Sequence, residues 1–145
     1  MPFDELTKIL QSSISPVALI SGIGLLLLAM TNRYARTTDG ARTLARQHKE
    51  ALPEHRANLS IQIKILFERS KILRFSIIFA AISIFCASLL ILLIFASYFL
   101  ELDLHHVIVA VFAISFIALI VSLGFFIKDL TLSLNALKQE LTDFI

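Results

Sequence analysis

The chain has 145 residues, of which 57% are hydrophobic and only 17% charged. That balance exceeds what a water-soluble domain carries, and a soluble core able to bury it would need far more surrounding chain. The net charge of +2 excludes nothing by itself, because its distribution carries the information.

Residues 1–15 read as an N-terminal amphipathic segment, with Phe3, Leu6, Ile9 and Leu10 on one side. A first spanning helix is expected over 16–32, opened by Pro16, since a missing N–H costs nothing in a first turn. The uncharged run between Lys8 and Arg33 is 24 residues, enough to cross about 30 Å of hydrocarbon. It does not read as a cleaved signal peptide: Asp4 and Glu5 precede it with only Lys8, and the basic residues follow it. At 100° per residue, Gln11, Ser15, Ala18, Gly22, Ala29, Asn32, Arg33 and Arg36 share one side. Such a stripe either packs closely against another helix or lines a water-filled path. Close packing is the stronger reading of the stripe alone.

Residues 33–74 read as a long, basic helical hairpin. Ten of the 13 Lys and Arg residues fall there, against four acids. Positive loops stay on the cytoplasmic side, which puts the hairpin and C-terminus inside and the N-terminus outside. Leu52-Pro53 marks the reversal, because proline disfavours helix just before it. On the second arm, Leu59, Ile63, Leu66 and Leu73 form one apolar stripe, and Ile61, Ile65 and Ile72 form another well over 90° away. The first can cover the opposite arm; the second has no intrachain partner. Leu59, Ile61, Ile63, Ile65 and Leu66 are therefore expected at a homo-oligomer interface. Arg69, Lys71 and Arg74, close to the next apolar run, suit anionic lipid headgroups.

Second and third spanning helices are expected over 75–99 and 107–127, joined by a short turn and hence antiparallel. Ser76, Ala80, Ser83 and Ala87 give the second a small-residue packing face. The lone Cys86 lies mid-span and reads as a packing residue. Residues 128–145 read as a cytoplasmic amphipathic tail, with Leu130, Leu134, Leu137, Leu141 and Phe144 on one side, lying in the membrane interface or against the hairpin. The fold class is all-α, in a single membrane domain.

His105-His106 is the weak candidate for a metal or pH-sensing site; adjacent histidines do not share a helix face, and no further ligand supports them. No nucleophile–base pair, carboxylate pair or phosphate-binding loop is present, so neither enzyme chemistry nor a cofactor is expected. Nucleic acid is not expected either, because acids alternate with the bases and stacking aromatics are sparse.

The run Leu25-Leu26-Leu27-Leu28-Ala29-Met30-Thr31-Asn32-Arg33-Tyr34 resembles the signature of a bacterial family, domain of unknown function 2721. Gln62-Ile63, Leu66, Arg69 and Leu73-Arg74 resemble its approach to the second spanning helix. Ser122-Leu123 and Lys128-Asp129 resemble its ending. The resemblance implies the same three-span architecture and a bacterial inner membrane, and carries no activity. The expected function is a homo-oligomeric pore or ion channel lined by the first helix. The alternative is a non-conducting scaffold or accessory subunit whose hairpin binds a protein or anionic lipid.

Overall fold

The computed structural model describes residues 2–142, apart from the side chains of Gln139, Glu140 and Thr142. Three α-helices account for almost all of them: α1 Phe3–Glu50, α2 Pro53–Phe99 and α3 His105–Thr142. Each contains a window long and apolar enough to cross a membrane. At 1.5 Å per residue the 48 residues of α1 run for about 72 Å, more than twice the hydrocarbon thickness. All three helices therefore extend past an apolar span.

Contacts divide the chain into two compact units. The first joins Met1–Leu28 to Ile78–Val121, and the second joins Ala29–Ile77 to Ser122–Ile145. In the first unit the core is made of Ile23, Ala80, Ala87, Leu90 and Ala118, with the buried serines Ser83 and Ser115. Each serine hydroxyl donates to the other's backbone carbonyl, at 2.8 and 3.0 Å. In the second unit Ser76 and Ser122 repeat that reciprocal clasp at 2.8 and 2.6 Å. The Sδ of the buried Met30 lies 3.3 Å from the Ser76 hydroxyl. Small side chains let helix backbones come this close, and hydroxyls that bond across helices leave no polar atom facing hydrocarbon.

The reversal falls at Ala51–Leu52, between the end of α1 and Pro53 at the start of α2. Arg56 Nε donates to the Ala51 carbonyl at 3.3 Å and so caps the end of α1. The two arms lie against one another: Leu66 Cδ1 stands 3.6 Å from where a Cβ on Gly40 would be, and Ser60 meets His48 at 3.1 Å. Between α2 and α3 the chain turns through Glu101, whose φ of 50° is the left-handed conformation that ends a helix. Asp103 then accepts from the His105 N–H at 3.4 Å at the start of α3.

Two sequence expectations change here. Pro16 does not open a helix; it lies inside α1, and the helix is continuous across it. Nor do residues from 128 onward form a separate amphipathic helix, for α3 runs from His105 to Thr142 without a break. No proline follows Ile127, and no glycine takes positive φ, so nothing stops the backbone ladder. Leu130, Leu134, Leu137 and Leu141 are exposed rather than packed on the hairpin, and Phe144 lies outside the described residues.

Most of the apolar surface points outward. Only 17%, 22% and 17% of the apolar windows of α1, α2 and α3 are buried. The accessible surface is 10097 Å², whereas a soluble monomer of 16.2 kDa would expose roughly 7,500 Å². Hydrocarbon around the helices accounts for the excess, as expected of a multi-pass membrane protein.

Candidate functional site

Asp129 is the first acidic residue after the third apolar run, and its side chain has no exposed surface. Two guanidiniums meet it. Arg33 Nε, just past the apolar run of α1, donates to one carboxylate oxygen at 2.5 Å. Arg69 Nε, on α2, donates to the other at 3.1 Å. The side chains of Arg33 and Arg69 are 28% and 13% exposed, so neither is fully withdrawn from the surface. One carboxylate thus ties α1, α2 and α3 together through two charge-assisted bonds. The cluster keeps one net positive charge, because two cations share one anion.

The register explains why these residues meet. Arg69, Ser76 and Ser83 follow one another at seven-residue spacing on α2, and Ser115, Ser122 and Asp129 do the same on α3. Seven residues bring a helix back to nearly the same face. Arg69–Asp129 is therefore the ionic continuation of the face that carries the serine clasps. Asp129 escapes a reading by composition because it stands alone beside Lys128. Its signal lay in extending the small-residue face by one heptad.

The sequence-predicted residues fall in several places. Arg33 and Arg69, expected at a pore and at lipid headgroups, come together on Asp129. Gln11, Ser15, Ala18, Gly22, Ala29, Asn32 and Arg36 are all exposed on α1. No atom approaches within 4 Å of a Cβ built on Gly22, so the stripe is not a packing seam within this chain. On the second arm Leu59, Ile63, Ile65 and Leu66 are half-buried and Ile61 is exposed. The Lys71 ammonium sits 4.8 Å over the Phe67 ring, and Arg74 is exposed. His105 and His106 contact each other edge to face at 5.7 Å. Among the described residues no three His, Cys, Asp or Glu side chains are grouped so as to hold a metal ion.

A second site, not singled out from the sequence, lies in the first unit. An open cleft of about 480 Å³ is lined by Glu5, Lys8 and Ser12 of α1, Ser97 and Tyr98 of α2, and apolar residues that include Ile94. The Tyr98 hydroxyl donates to Glu5 Oε2 at 2.5 Å. A smaller cavity of about 200 Å³ shares Ser12, Ile94 and Ile108 with it and continues to Pro16, Leu90 and Phe112. Polar groups therefore gather at one end and hydrocarbon side chains at the other. The sequence shows Glu5 and Lys8 only as flanking charges; their meeting with Tyr98 depends on a contact between residues 93 positions apart.

A family model described as "Protein of unknown function (DUF2721)" matches residues 13–139. No curated protein and no solved structure matches the chain.

Proposed function

The chain belongs to the DUF2721 family, and from that footing we propose that it is a homo-oligomeric membrane protein whose first helices gather round an axis and line a pore. The supporting observation is the uncovered stripe of α1. Gln11, Ser15, Gly22 and Asn32 stand exposed on a helix whose apolar span is otherwise mostly Leu, Ile and Val. Polar groups at membrane depth face a bundle interior or water, and small ones permit close approach of a neighbouring helix. A second copy of the stripe supplies both. Arg33 is held by Asp129, which leaves the exposed Arg36 as the cation each subunit brings to the mouth. A ring of such residues favours anions. In this reading the protein is not an enzyme and needs no cofactor. It sits in a bacterial inner membrane with its N-terminus outside, its basic hairpin and C-terminus in the cytoplasm, and Lys71 and Arg74 near anionic headgroups.

The experiment combines cross-linking with conductance. In a Cys86→Ser background, Gly22→Cys is expected to form a disulfide-linked dimer on oxidation. Wild-type protein in planar bilayers is expected to conduct with anion preference, and Arg36→Glu to reverse that preference. Efficient cross-linking without conductance would instead favour a non-conducting scaffold. That second reading draws on Ile61 and Phe67, large apolar side chains 59% and 55% exposed on the second arm, where a partner protein can dock.

A further inference from the structure

The cleft of the first unit has the polarity of a phospholipid. We infer that it binds one membrane phospholipid with a zwitterionic headgroup whose cation is a primary ammonium. Glu5, Lys8, Ser97 and Tyr98 line the larger cavity, and the smaller one, which shares Ser12, Ile94 and Ile108 with it, is walled by Leu90, Val109 and Phe112. That order, charged groups first and hydrocarbon beyond, is the order a lipid presents from headgroup to acyl chain. A volume of about 480 Å³ accepts the headgroup, and about 200 Å³ accepts the first part of one chain. The rest of the lipid stays in the bilayer through the open side.

The charges select the headgroup. Glu5 and Lys8 are three positions apart on α1, yet no ion pair joins them, and no hydrogen bond to the Lys8 ammonium occurs among the described residues. Lys8 is thus free to meet a phosphate. Glu5 has Oε2 held by the Tyr98 hydroxyl, which fixes the carboxylate and leaves Oε1 for a ligand cation. A primary ammonium, with three N–H donors, can donate to Glu5 Oε1. A quaternary ammonium has none. An anionic lipid would satisfy Lys8 and leave Glu5 repelled.

The test is native mass spectrometry of the full chain, purified in mild detergent. The protein is offered an equimolar mixture of phosphatidylethanolamine, phosphatidylcholine and phosphatidylglycerol with identical acyl chains. The expected result is one retained phosphatidylethanolamine per chain, favoured roughly five- to tenfold over the choline lipid, as one charge-assisted bond at a part-exposed site implies. Lys8→Gln is expected to weaken retention of all three. Glu5→Gln is expected to keep binding while abolishing the preference for ethanolamine over choline. Val109→Trp, at a side chain 54% exposed, narrows the apolar cavity and is expected to weaken all three. Thermal melts identify any variant whose loss reflects misfolding; Glu5→Gln, a conservative exchange at an exposed residue, carries the decision on its own. Equal retention of the three lipids by the wild type overturns the inference, as does a preference that survives Glu5→Gln. Equal competition by chain-free glycerophosphoethanolamine also overturns it, since the apolar end would then contribute nothing.

Discussion

A carboxylate with no exposed surface, such as that of Asp129, persists as an anion only when neighbouring donors replace the water it has lost. Arg33 and Arg69 do so with one bond each. Replacing Asp129 by Asn preserves shape but strands two part-buried guanidiniums. Removing one member of a buried ion pair costs about 3 to 5 kcal/mol. Asp129→Asn is therefore expected to melt well below the wild type when followed by circular dichroism in detergent, with Arg69→Gln milder because Arg33 remains. The neighbours Thr37 and Thr38 offer a contrast one residue apart. Thr37 Oγ1 donates to the Arg33 carbonyl at 2.9 Å, while the buried Thr38 Oγ1 has no partner. Thr38→Val should stabilise the protein by about 1 kcal/mol in the same melts, and Thr37→Val should not. Little of this was legible beforehand. The sequence marks Arg33 and Arg69 as notable cations, but their shared anion lies 96 and 60 positions away, and only the heptad spacing from Ser115 through Ser122 to Asp129 pointed to it.

At the level of the helices, the apolar runs and the reversal near Leu52-Pro53 were visible because both are local. Charge-free length specifies a spanning segment, and Pro53 suits the first turn of a new helix while disfavouring helix at Leu52. The continuity of α1 through Pro16 and of α3 past Ile127 was not visible. Polarity changes along these helices, and a reading by polarity inserts borders that backbone hydrogen bonding ignores. Ser76, Ala80, Ser83 and Ala87 were readable as a packing face, and all four are buried. Gly40 shows the converse case. It sits in mid-helix with ordinary φ, and a methyl group there would meet Leu66 at a comfortable 3.6 Å. Gly40→Ala is expected to raise stability by about 0.5 to 1 kcal/mol, measured by thermal melts, because it removes backbone freedom from the unfolded chain without a clash.

For the whole molecule, three crossings are expected to put the α1–α2 turn and the α2–α3 turn on opposite sides of a membrane. In a Cys86→Ser background, Lys49→Cys and Asp103→Cys, both at exposed positions, should react with a membrane-impermeant maleimide from opposite faces of sealed vesicles. Under the positive-inside orientation, inside-out vesicles expose Lys49→Cys. Labelling of both from one face would contradict the three-span arrangement. The Asp129 cluster also has a bearing on how such a chain is made. The ribosome delivers Arg33 and Arg69 long before Asp129. Until the last helix arrives, the two guanidiniums lack their shared counter-charge, although contacts such as Leu66 against Gly40 already join the arms. A chain truncated before residue 129 is therefore expected to be cleaved faster by an added protease than the full chain, as followed by gel electrophoresis.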